Sequence, residues 1–143
     1  MTTTSSHEAL RVACEAIVRG SQGLCRWNWD ASLGAALTVF SAAESDVIRG
    51  HLERALRGKW DYQTVAKAPP LVSGVISRLG GIRAGQYLLG SDLTDGAMVF
   101  GAWWPWSGGK SVSLRIGAVS SNEPATAELT RELQAWFGLS SPA

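Results

Sequence analysis

The chain reads as an α+β domain, a central antiparallel sheet of about five strands with helices at both ends. Three observations predict this. Apolar residues recur at helical spacing near both termini, they alternate with period two in the stretches between, and Gly, Asp and Ser clusters separate those stretches as turns. A length of 143 residues suits one domain, 1–143, able to bury a core without metal or disulfide staples, with 1–5 and 140–143 expected as mobile tails.

The opening helix is expected over Ser6–Arg19. Leu10, Ala13, Cys14, Ile17 and Val18 form its stripe, Ser5-x-x-Glu8 is a capping-box pattern, and Gly20 is the stop. From Leu24 to Asp30 the period becomes two, placing Cys25, Trp27 and Trp29 on one strand face, and Asp30-Ala-Ser turns the chain into a partner strand, Leu37–Phe40. Ser41-x-x-Glu44 then caps a second helix with Val47, Ile48, Leu52, Ala55 and Leu56 as its apolar side. Residues 59–84 are the least regular. A short helix follows Pro69-Pro70, since proline is accepted in a first helical turn, although Gly74 weakens it. Gln86–Leu89, Ala97–Trp106 and Ser111–Val119 form a meander turning at Thr94-Asp95-Gly96 and Ser107-Gly-Gly-Lys110. Phe100 and Leu114 belong to its core. A last helix from Pro124 carries Leu129, Leu133, Trp136 and Phe137 and closes at Gly138.

Charge and composition narrow the function. A formal charge of +1 with no run of either sign argues against nucleic acid or an anionic membrane surface as partner. No apolar stretch approaches the ~20 residues of a membrane span and no signal peptide opens the chain, so a cytoplasmic protein with two reduced thiols, Cys14 and Cys25, is expected. No CxxC, HxxxH or ExxH spacing occurs, so neither a metal nor another cofactor is expected. His7 sits beside a helix start and His51 on a charged helix face, both positions of solvated histidines. A catalytic reading would need His51, Asp61 or Asp92 to converge beside a cleft. Ser107-Gly-Gly-Lys110 is too short for a phosphate loop and joins two strands, which makes it a hairpin turn. Asp30-Ala-Ser-Leu-Gly34 resembles half of the PilZ cyclic-dinucleotide motif, but Ala35 replaces its final glycine and no arginine pair lies upstream.

Seven tryptophans are the strongest compositional signal, above all Trp103-Trp104-Pro105-Trp106. Strand alternation places Trp104 and Trp106 on one face and Trp103 on the other. Trp103, Trp104 and Trp106, with Trp60 and Tyr62 from the irregular stretch, form the candidate surface for a small ligand or a partner protein, with Arg115 or Arg83 as polar anchor. If Trp104 is core, its loss should cost much, and Trp103 should be the exposed ring. A cleft floored by Trp104 would favour a ligand; without one, protein docking gains.

Over His7–Phe40, Ala97–Val119 and the helix after Glu123-Pro124, the pattern resembles the GAF family and its profilin-like relatives, PAS and roadblock domains. The resemblance implies a non-enzymatic sensory or regulatory module, frequently dimeric, that binds a small molecule between the sheet and the segments crossing it. No bilin-attachment or cyclic-nucleotide motif is present, and no output domain is attached, so a signal would pass to a separate partner. The roadblock branch implies instead a dimeric interaction platform, which the extra segment 59–84 fits less well.

Overall fold

A computed structural model describes residues 2–93, 96–106 and 108–139, with side chains from residue 8 onward. Thr94, Asp95 and Ser107 of the two meander turns, and the tail 140–143, lie outside the described residues, as do the side chains of Ser5 and His7. The elements in chain order are α1 (Thr2–Gly20), β1 (Asn28–Asp30), β2 (Ala35–Ser41), α2 (Ser45–Ala55), β3 (Gly58–Asp61), α3 (Pro70–Arg78), β4 (Tyr87–Gly90), β5 (Ala97–Pro105), β6 (Ser111–Ser120) and α4 (Glu123–Trp136). Single 3-10 turns at Ala42–Glu44 and Val65–Lys67 complete the chain.

The six strands form one antiparallel sheet in the order β1-β2-β6-β5-β4-β3. The extra strand is β3, which pairs Trp60 with Leu88 at the sheet edge. Gly58 and Asp61 break its sequence pattern, so a four-residue edge strand leaves little periodic signal. The strand expected over Leu24–Asp30 shortens to three residues. The amides of Leu24 and Cys25 bond back to the Ser21 carbonyl at 3.0 and 2.9 Å, holding the chain in a turn after α1. Helix α1 starts at Thr2, ahead of the expected capping box and inside the expected tail. Ser41 does cap, accepting from the Ala43 amide at 3.2 Å, but the turn it opens is 3-10 and α2 follows it.

Alternation along the strands gives the sheet two unequal faces. The near face carries Ala36, Phe40, Val112, Leu114, Ile116, Val99, Trp103 and Leu89, all buried. Helix α1 packs against α2, α4 and β5, while α4 also lies on β2 and β6, so three helices cover this side. Leu10, Cys14 and Ile17 of α1, Ile48, Leu52 and Leu56 around α2, and Leu129 and Leu133 of α4 are the helical half of that core. Val47, expected on the α2 stripe, instead faces solvent, because one residue along a helix turns it about 100° away from the buried Ile48 and Leu52 side. At the edge of this layer Tyr87 stacks on Trp103 with ring centroids 5.6 Å apart, and the Lys59 ammonium sits 4.5 Å over the Tyr87 ring. Burial pushes the Tyr87 phenol up to about 12, and the Arg49 guanidinium beside it pulls in the opposite direction. Burial likewise raises both thiols, and Cys14, inside the α1 core stripe, is the stronger case.

The far face carries Met98, Phe100, Ala102 and Trp104 of β5, Ser113, Arg115, Gly117 and Val119 of β6, and Leu37 and Val39 of β2, as the pairing register requires. Among the described helices α3 is the one that crosses it, burying Val72, Val75 and Ile76. Gly117 makes that crossing possible. Its strand partner is Phe100, and a Cβ at Gly117 would come within 2.5 Å of the Phe100 ring, so the aromatic side chain lies flat across the glycine and leaves room for α3 above it.

Candidate functional site

Strand β5 divides the tryptophan cluster between the two faces. Trp103 is 3% exposed and packs against both Phe40, at 5.4 Å between ring centroids, and Tyr87. It is a core residue. The expected roles of the neighbouring pair are therefore reversed, because the near face is the one that three helices cover. Trp104, on the far face, is partly buried and packs at the edge of the core.

Two residues on, past the end of β5, Trp106 is 53% exposed, but its ring is not free to wander. The indole Nε1 donates to Ser113 Oγ at 2.7 Å, while the Trp106 amide donates to the Ser111 carbonyl at 2.9 Å. Ser113 is the strand partner of both Trp104 and, on the other side, Val39, which is 46% exposed. The row Trp104, Ser113, Val39, with Trp106 hydrogen-bonded onto it, is thus an apolar strip on the open end of the far face. Half-buried Leu37 and Arg115 border it one row further in.

The other expected site residues are dispersed. Trp60, on edge strand β3, lays its ring against Gly58 and Gly90 on the far face and is half-buried. Tyr62, 62% exposed, lies just past β3 and lines a separate recess of about 190 Å³ with Asp61, Gln63, Ala84 and Gly85. Arg83 is exposed in the connection to β4, where its amide bonds the Gln86 side chain at 2.8 Å. Arg115 is committed to structure: its Nε donates to Asp30 Oδ2 at 2.9 Å. Asp30 Oδ1 in turn accepts from the Ser32 hydroxyl at 2.6 Å and from the Ser32 amide at 3.1 Å, closing the β1-β2 turn. The hydrogen bond from Ser32, then the Arg115 guanidinium, hold the Asp30 carboxyl below its usual range. The turn residues singled out in the sequence as a faint nucleotide motif are thus a hairpin clasp.

His51, Asp61 and Asp92 do not form a constellation. His51 Nδ1 lies 2.9 Å from the Arg54 guanidinium on α2, Asp61 caps its own turn by accepting from the Gln63 and Thr64 amides, and Asp92 lies past Gly90 at the opposite end of β4.

A concavity does exist on the far face, away from the tryptophans. Helix α3, the end of β6 and the first turns of α4 enclose a groove of about 390 Å³ lined by Leu71, Gly74, Val75, Val119 and Ala127, among others. It shares Val75 and Arg78 with a small apolar cavity of about 10 Å³ beneath α3, walled by Leu33, Ala35, Leu79, Phe100 and Arg115. No sequence periodicity marks this groove. Its walls come from three elements distant in the chain, and only the awkward Gly74 in a short helix hinted at it. Compared with models of known protein families, with curated proteins and with solved structures, the chain matches none.

Proposed function

We propose that this chain is a non-catalytic regulatory or sensory module that docks a partner protein through the open end of its far sheet face. Trp106 carries the reading: a half-exposed indole held in one orientation by Ser113 is an anchor whose ordering cost is already met. Trp104 and Val39 supply the surrounding apolar strip, and Leu37 and Arg115 its border. Trp104, Trp106 and Val39 line none of the cavities described above, which favours protein docking over a ligand held by these rings. A GAF-like or profilin-like lineage, and with it a homodimeric platform, is part of the proposal on the sequence patterns alone. Among the described residues no helix is long and apolar enough to cross a membrane.

The test compares the wild-type chain with the double variant Trp106→Ala, Val39→Ser. Light scattering after size exclusion reads a homotypic complex, and reconstitution with a purified, co-isolated protein reads a heterotypic one. A complex lost in the variant at unchanged melting temperature carries the reading. A complex that survives both substitutions sinks it.

A further inference from the structure

We propose that the groove between α3 and the start of α4 is a binding site for an amphipathic monocarboxylate, an acid with one apolar tail, seated with its carboxylate at Arg78. The groove's volume of about 390 Å³ is that of a small-molecule pocket. Its α3 wall is one helical face, Pro70, Leu71, Gly74, Val75 and Arg78, so from first to last it runs about 12 Å, the reach of a medium-length acyl tail. Leu71, Val75, Val119 and Ala127 make it apolar along that length.

The charge is placed at one end. Arg78 borders both the groove and the small cavity beneath α3, and Arg115 lines the cavity. Arg78 Nη2 donates to the Leu33 carbonyl at 3.1 Å and Arg115 Nε to Asp30, and since a guanidinium carries several N–H donors, both retain capacity for an anion. Two guanidinium charges against one carboxylate leave that end positive. Glu123 lines the same groove and would repel a second carboxylate, which favours a ligand with one acidic group.

Gly74 is the second, independent observation. A glycine inside a nine-residue helix costs roughly 0.5–1 kcal/mol relative to alanine, and packing does not demand it: a Cβ there would meet no atom within 4 Å. Its effect is to leave the middle of the groove open. Gly50 in α2 is equally unobstructed but lines none of these cavities, which makes it the control.

Calorimetric titration of the full chain with decanoate and with phenylbutyrate tests the site, using decanol as the uncharged comparison. Saturable one-to-one binding of at least one acid is expected, with decanol weaker by about tenfold or more, the worth of a charge-assisted hydrogen bond. Arg78→Gln, which also gives up the hydrogen bond to the Leu33 carbonyl, should weaken the acid by a similar factor at a melting temperature close to that of the wild type. Gly74→Leu should abolish binding while Gly50→Leu leaves it intact, with melting curves confirming that both variants fold. Failure of both acids to bind, equal binding of decanol, or undiminished binding by Arg78→Gln would overturn the assignment. None of these outcomes bears on the tryptophan strip, which none of the variants touches.

Discussion

The two faces of the sheet are built from the same three central strands yet meet opposite fates. On the near face, α1, α2 and α4 bury every large side chain of β5 and β6, and Trp103 is locked between Phe40 and Tyr87. On the far face one short helix shields the Phe100 end and leaves the Trp104 end open. Adjacent tryptophans thus do different work because a strand turns alternate residues to alternate sides, and because helices are unevenly shared between those sides. The lesson concerns composition: tryptophans clustered in sequence need not be clustered in space.

Substitutions can break or sharpen this contrast. Trp103→Ala should have the largest effect, lowering stability by about 3–5 kcal/mol in a denaturant titration, because it removes a core ring and leaves a cavity between Phe40 and Tyr87. If the loss is no greater than for a surface residue, the assignment of the covered face is wrong. Gly117→Val should come next, costing about 1–3 kcal/mol, since the new side chain drives the Phe100 ring toward α3; the same read-out applies, and an unchanged midpoint would mean that α3 is not seated on that ring.

Asp30→Asn should cost about 1–2 kcal/mol, between an exposed and a buried ion pair, as the side chain is only 14% exposed. The sign of its pH dependence follows from the lowered folded-state pKa. The stabilisation is present above the ordinary carboxylate range and is lost as pH falls through the folded value, so Asp30→Asn should flatten the acid limb of the wild-type stability curve. An acid limb of unchanged steepness would remove the clasp from the account. Trp106→Ala should move stability least, within about 0.5 kcal/mol, and a loss comparable to that of Trp103→Ala would erase the difference between the faces.

Much of the fold was legible because its signals are local. The α3 and α4 helices lie within a few residues of their expected bounds, the three-strand meander is present, and Phe100 and Leu114 are core as expected. What stayed hidden depended on long-range placement. Strand β3 is too short to show a period, and the expected α2 stripe took in both Val47 and Ile48, neighbours that a helix turns about 100° apart, so that only the fold shows which of the two faces inward. The conditional expectation of Trp104 as core with Trp103 outward, and the place given Trp103 on the binding surface, failed for a different reason. Alternation distinguishes the two sides of a strand but cannot say which side the helices choose. The α3 groove was equally invisible, being assembled from Leu71, Val119 and Ala127, residues that become neighbours only in the folded chain.

The position of β6 between β2 and β5 has a consequence for how the protein comes into being. Leu37 finds its partner Arg115 only after most of the chain has been made, so on a ribosome the first hairpin must wait with one flank unpaired. Such non-local closure slows folding, because the loop must be closed before the pairing contributes. The sheet's last strand in chain order is therefore the one that joins its halves, and damage to it should leave β1-β2 and β5-β4-β3 without their common partner.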